Sequence, residues 1–367
     1  MKPVLEILIP TFNRVESFQD AIDSVLKCED DRLTVRCNSN GYNPVLEKYR
    51  NLNNRVRYDC FKSNKGPHAN FTKLFKETNA NFCMLLSDED RVNYKNYKNL
   101  LNYLDDLDKN TNVIACSIFD QKKNLFHWKP SLKIIEYNIH SYVALNPIST
   151  YMTGLIYRVE SFNNINITDL MRPTIGNAYG HLDINLHLLL NGKLRFYHDR
   201  FVEKGVDVKF GGDGYSHKLQ DSSARISDPE NLDLNPSVYG PKARARQFYY
   251  RENLLNKLKS EISTVSLFIG KLNYIDFFYR NIIRSNQLVI MPKNTVLKDE
   301  AKAAYIDSVK KNENSGSKTS YLFKLLLTLP SFIANPLFFI VSRINILVRK
   351  AYMIKLTLFQ NNKNNFI

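Results

Sequence analysis

Val4-Leu5-Glu6-Ile7-Leu8-Ile9, stopping at Pro10, is the stretch on which the fold turns. A short apolar run closed by proline predicts a buried strand. Residues 17–26 follow with Phe18, Ala21, Ile22, Val25 and Leu26 at helical spacing. Residues 33–37 predict a second strand, closed by the polar turn Asn38-Ser39-Asn40-Gly41. Residues 56–61 predict a third strand, residues 70–78 a helix, and Phe82-Cys83-Met84-Leu85-Leu86 a fourth strand that stops at Ser87-Asp88-Glu89-Asp90. Strands separated by helices imply an α/β fold with a mainly parallel sheet flanked by helices. A ligand then belongs at the carboxyl ends of the strands.

Further along, residues 113–119 and 151–157 predict two more strands, and residues 182–190 a strongly apolar helix bounded by Gly192. Residues 210–240 are loop-like around Gly211-Gly212-Asp213-Gly214. A helix is expected from about Lys242 to Leu258, with more helix up to about Val309, and residues 310–320 are polar and linker-like. The last segment is different. Between Lys324 and Arg343 every residue is uncharged, and basic residues flank and follow the run. Its length is near the roughly 17–20 residues that a membrane span needs. Pro330, Asn335 and Pro336 interrupt it, and a basic, apolar, proline-broken segment suits the membrane interface better than a crossing. Phe323, Phe332, Phe338 and Phe339 are the expected inserting side chains. A re-entrant or spanning segment, or a tail packed on the protein, are the other arrangements.

The chain has 367 residues, 44% hydrophobic and 24% charged, which describes a globular protein. Five cysteines without a CxxC pair point to reduced, buried thiols. The first residues run straight into the apolar strand, so no secretory leader is expected and the setting is cytoplasmic. A net charge of +15 suits anionic lipid or a phosphorylated substrate. Nucleic acid is disfavoured: the sequence has no zinc-finger spacing, RNP-like strand or helix-turn-helix pattern.

Three adjacent carboxylates at a strand's end repel one another unless a cation or solvent compensates them. Asp88, Glu89 and Asp90 are oxygen ligands of the kind that suit Mg²⁺ or Mn²⁺, and such an ion also holds a diphosphate. Taken alone, an acidic triplet is more often a loop or a helix cap. This one has company. Ile7-Leu8-Ile9-Pro10-Thr11-Phe12-Asn13-Arg14 resembles the opening strand and loop of the family 2 glycosyltransferases, which have the GT-A, Rossmann-like fold. Asn64-Lys65-Gly66-Pro67-His68-Ala69-Asn70-Phe71 resembles the family's segment opening the next helix, and residues 82–90 resemble its strand ending in a DxD-like motif. The resemblance runs over about residues 3–100 and, more loosely, about 150–205.

Position by position, the resemblance implies that Pro10, Thr11, Phe12, Asn13 and Arg14 line the nucleotide site, with Thr11 and Phe12 at the base. Asn64, Gly66 and Asn70 join them. Asp88 approaches the ribose, and Glu89 and Asp90 face the metal. A literal DxD reading selects Asp88 and Asp90 instead, whereas alignment of the strand end puts Glu89 at the metal position. The family's aspartate after the second strand is replaced by Arg36-Cys37-Asn38, where Asn38 remains able to hydrogen-bond a pyrimidine. Thr153-Gly154-Leu155 and the segment from Gly180 to His187 resemble the family's acceptor block without its Glu-Asp pair. Asp183 is the carboxylate there, with His187 four residues on along the same helical face. Asp183 among apolar neighbours would make a general base, and His181 is the alternative.

The expectation is an inverting, metal-dependent glycosyltransferase. It would move a sugar from a nucleoside-diphosphate sugar to a hydroxyl of a glycan or lipid-linked glycan, peripheral to the inner face of a membrane. Bacterial surface polysaccharide assembly is the setting the resemblance implies. A nucleotidyltransferase, or an inactive sugar-nucleotide-binding module, are the rivals. Residues 1–215 form the catalytic domain, with a donor half (1–110) and an acceptor half (111–215). A loop and helical extension (216–310), a linker (311–320) and a basic amphipathic tail (321–367) follow.

Overall fold

The computed structural model describes residues 2–12, 14–130, 136–148, 151–163, 165–171, 180–205, 251–285 and 331–364. It also describes residues 306, 322, 324–326 and 328–329. Among these residues ten strands form one sheet, β1 (Leu5–Thr11), β2 (Leu33–Ser39), β3 (Val56–Cys60), β4 (Phe82–Leu85), β5 (Arg91–Val92), β6 (Thr111–Asp120), β7 (Leu125–Trp128), β8 (Glu136–Tyr137), β9 (Leu155–Arg158) and β10 (Lys193–Lys204). The order is β3-β2-β1-β4-β9-β6-β10-β5, with β7 on β6 and β8 on β10. The first four strands are parallel to one another: β1 lies between β2 and β4, and β3 pairs with β2. The second half is mixed. There β9 runs antiparallel between β4 and β6, while β6 and β10 are parallel.

The helices are α1 (Val15–Leu26), α2 (Pro67–Glu77), α3 (Tyr97–Asp105), α4 (Ile139–Leu145), α5 (Ile167–Met171), α6 (Gly180–Leu190), α7 (helical over residues 251–257), α8 (Thr264–Ser285) and α9 (Ser331–Asn364). Because successive residues of a strand point to opposite faces, the apolar run of β1 feeds two cores at once. Ile7 and Ile9 pack with Phe18, Ile22 and Leu101 on the side of α1 and α3. Leu8 packs with Leu74, Leu145 and Leu186 on the side of α2, α4 and α6. Glu6 interrupts the run and is 1% exposed. Its carboxylate accepts from Arg36 Nε (3.4 Å), Thr78 Oγ1 (2.8 Å) and the Asn79 amide (2.9 Å), as a buried charge must. Arg36 is thereby engaged away from the ends of the strands.

The predicted strands and helices of the first hundred residues are found, with α2 starting earlier than expected because Pro67 takes its first turn. Among the described residues the five cysteines are free thiols, four of them buried. The loop at 210–240, the start of the helix at 242 and the linker at 310–320 lie outside the described residues. The tail departs from expectation. One helix of 34 residues, α9, runs straight through Pro336. Phe338, expected to insert in lipid, is 5% exposed and packs inward, while Phe339 points out. Phe323 and Phe332 fall outside the described side chains. Among the described residues no helix is long and apolar enough to cross a membrane.

Candidate functional site

β1 lies between β2 and β4, and the residues that follow β4 reach the end of β1. Thr11 Oγ1 donates to Asp88 Oδ2 at 2.7 Å, and Arg14 Nη1 donates to Asp88 Oδ1 at 2.8 Å. The same guanidinium nitrogen stands 3.4 Å from Glu89 Oε2, so one cation bridges two carboxylates. Asp88 is 4% exposed. Burial pushes its carboxyl above the usual range, against the pull of Arg14, of the Thr11 hydroxyl and of the Phe12 amide.

Asp90 faces the other way, into the protein, and is fully buried. The Tyr151 hydroxyl lies 2.6 and 2.8 Å from its two oxygens, Thr153 Oγ1 donates at 2.5 Å and the Gly205 amide at 3.0 Å. Burial raises its carboxyl as well, with Thr153, Tyr151 and Gly205 opposing. Thr153 also accepts from the Ser87 amide at 2.9 Å, which ties the acidic turn to the segment before β9. A side chain at Gly205 would run into the Glu89 carbonyl, so glycine is what lets the end of β10 come this close. Both oxygens of Asp90 are therefore taken by uncharged protein donors, whereas Asp88, itself buried, and the more exposed Glu89 share the Arg14 cation.

Asn38 stands one residue before the end of β2, opposite Pro10 of β1. Its Nδ2 donates to Asn70 Oδ1 at 2.9 Å, and Asn70 Nδ2 donates back to the Asn38 carbonyl at 3.0 Å. Asn40 accepts from the Lys65 amide at 2.8 Å, and Asn64 from the Gly66 amide at 2.9 Å. Gly66 sits at φ 83°, the left-handed region, immediately before α2. The two blocks quoted from the sequence, around residues 10–14 and 64–71, thus close on one floor beneath Thr11 and Phe12. Asn13 lies outside the described residues.

The expected acceptor residues form a second cluster on α6. Asp183 Oδ1 accepts from Arg251 Nη1 at 2.9 Å, and both side chains are buried. Arg251 in turn meets the Tyr274 hydroxyl and lies over that ring, 5.2 Å from its centroid. The Asp183 carboxylate therefore sits against a cation instead of among apolar groups alone. His181, two residues before Asp183 on α6, is also buried. Sequence reading passed over Tyr151, Gly205 and the specific role of Arg251. Thr153 was visible within its block, but Arg251 was one of many basic residues and nothing local marked it.

A divalent cation fits the two carboxylates that share Arg14. Mg²⁺ commonly takes one or two carboxylates and completes its shell with substrate phosphates and water. Asp88 and Glu89 supply two, and the Arg14 guanidinium already shows that positive charge is stabilised between them. Among the described residues no group of three or more histidine, cysteine, aspartate or glutamate side chains makes a complete protein cage.

Residues 6–165 match the family model described as glycosyl transferase family 2. No curated protein matches the sequence. Among solved structures, that of residues 1–349 of S. aureus TarS in complex with UDP-GlcNAc superposes with a TM-score of 0.57 at 13% identity, covering 95% of this chain and 91% of that one. A second structure of the same TarS fragment covers 86% of this chain and 92% of that one at 16% identity, with a TM-score of 0.44. The superposition at 13% identity speaks for the fold, and the family match for the chemistry. Residues 6–165 form a family 2 glycosyltransferase domain on a GT-A fold, and this chain is a glycosyltransferase.

Proposed function

We propose that this enzyme is an inverting, cation-dependent transferase that moves a sugar from a nucleoside-diphosphate donor to a hydroxyl of a glycan or lipid-linked glycan. Its setting would be bacterial surface polysaccharide assembly at the inner face of a membrane. The observation that carries the reading is the Arg14 bridge between Asp88 and Glu89 at the strand ends, a site already arranged to hold opposite charges together. A TarS relative described with UDP-GlcNAc bound supports a nucleotide-sugar donor.

In this reading the floor made by Thr11, Phe12, Asn38 and Asn70 receives the base, and Asp88 the ribose side. Asp88 and Glu89 would hold Mg²⁺ or Mn²⁺, which supplies Lewis-acid stabilisation of the departing diphosphate. Arg14 is released from the carboxylates as the donor arrives and turns its charge toward the phosphates. Asp90 holds the acidic turn in place through Tyr151, Thr153 and Gly205. Asp183, fixed by Arg251, takes the proton from the acceptor hydroxyl as that oxygen attacks the anomeric carbon in line. His181 is the alternative base. Calorimetric titration with Mn²⁺ tests the site: Glu89→Gln should weaken binding at least about tenfold, the scale of losing a charged ligand. Unchanged Mn²⁺ affinity would take Glu89 out of the cation site.

A further inference from the structure

Helix α9 carries two faces of opposite kind. Its inner face is part of the protein: Ala334, Phe338, Ser342 and Asn345 are buried along it. Tyr352 and Ser266 of α8 share a hydrogen bond of 3.1 Å, Arg349 donates to the Leu145 carbonyl of α4 at 2.7 Å, and Gln360 to the Glu136 carbonyl at 2.7 Å. The outer face holds Ile340, Ile344, Leu347, Ile354 and Leu358, exposed between 48% and 66%. At about 100° per residue these positions fall in one stripe, roughly 27 Å long at 1.5 Å per residue. Arg343 and Lys350 border the stripe on one side and Lys355 on the other. No acidic residue occurs anywhere in the helix.

A continuous row of large aliphatic side chains held out to water by a packed helix is not what a monomer's surface ordinarily carries. We propose that the stripe is a lipid-docking surface: α9 lies flat on an anionic bilayer, its aliphatic row in the acyl boundary and its basic borders among the headgroups. This deepens, and rests on, the reading of a membrane-bound acceptor given above. The spacing alone would equally suit a second copy of the chain, since a four-and-three repeat is also the seam of a coiled coil. Charge decides between them. Two copies would bring Arg343, Lys350 and Lys355 against like charges with no acid on either helix to pair, whereas anionic headgroups neutralise them.

The docked helix also sets which part of the enzyme meets the bilayer. α9 rests on α4 and α8, and α8 supplies the Tyr274 that holds Arg251 against Asp183. Lipid docking through α9 therefore brings the acceptor half to the membrane and leaves the donor half on the side of the strand order that ends in β3.

The test is vesicle flotation of the full chain, with phosphatidylcholine alone and with about 30% phosphatidylglycerol added. Ile344→Glu/Leu347→Glu is the variant, both positions being on the outward face. Donor binding is followed by calorimetry in the same samples, and folding by circular dichroism. The expected result is binding to the anionic vesicles, about tenfold or more weaker without phosphatidylglycerol and at about 0.5 M NaCl, and about tenfold or more weaker in the variant. No vesicle binding, or binding that the folded variant retains, overturns the proposal. So does a lipid-free dimer that the variant converts to monomer while vesicles go unbound. An unmodified chain that binds nucleotide sugar but no vesicles sinks this inference alone; docking without any nucleotide-sugar binding sinks the catalytic reading alone.

Discussion

Asp90→Asn separates a structural from a metal-binding carboxylate. In the structure both Asp90 oxygens accept from protein: Tyr151 at 2.6 and 2.8 Å, Thr153 at 2.5 Å and the Gly205 amide at 3.0 Å, with no exposure to solvent. Asparagine keeps one acceptor and replaces the other with an NH₂ aimed at donors. Up to two donors lose their partner, at about 1–3 kcal/mol each for a buried group. Burial already disfavours the Asp90 charge, and removing it gives part of that back. A net loss of about 2–4 kcal/mol is expected, or roughly 4–16 °C of Tm at about 2–4 °C per kcal/mol for a domain of this size. The assay is thermal unfolding in EDTA beside a Mn²⁺ titration. Asp90→Asn should melt low and retain most of its Mn²⁺ affinity, whereas Glu89→Gln should melt near wild type and lose that affinity. An Asp90→Asn protein as stable as wild type in EDTA, with Mn²⁺ binding abolished, would refute the assignment of Asp90 to the framework.

Asp183→Asn should cut turnover by roughly 10²- to 10⁴-fold, the usual contribution of a positioned general base, with donor affinity nearly unchanged. An active Asp183→Asn beside a dead His181→Ala moves the base to His181. Arg251→Met leaves the buried Asp183 carboxylate without its cation and should cost about 3–5 kcal/mol, read in urea unfolding. Adding Asp183→Asn should restore much of that loss, and equal additive losses would contradict the pairing. Burial holds the Cys37 and Cys83 thiols well above their ordinary range. Iodoacetamide near pH 8 should therefore leave them unmodified in the native protein and alkylate them in urea; ready native labelling would contradict a sheet buried at both strands.

The donor half was legible because local signals and tertiary demand coincide there. The apolar run of β1, the spacing of Phe18, Ile22 and Val25, and the acidic stop after β4 each state one local preference that the sheet then uses. What could not be read depends on distant partners. β10 alternates charged and apolar residues through Arg195, Asp199 and Arg200, a pattern that looks like surface until β6 pairs with it along its length. The three acidic residues look equivalent in sequence, yet a turn sends Asp88 and Glu89 to Arg14 and Asp90 to Tyr151 and Thr153. Arg36 looked like a lost base-reading position, and its engagement depends on Glu6, thirty residues earlier, needing a buried cation. Pro336 was expected to break the tail. A single proline removes one backbone donor, and the helix that continues past it packs on α4 and α8.

The most direct measurement of the central claim is release of nucleoside diphosphate from a panel of nucleotide sugars, by chromatography, with Mg²⁺ or Mn²⁺ and with EDTA. The account predicts that at least one donor yields nucleoside diphosphate and free or transferred sugar, that EDTA reduces the rate at least about tenfold, and that Glu89→Gln does the same. Absence of binding and turnover for every donor, full activity in EDTA, or pyrophosphate exchange in place of diphosphate release would contradict it.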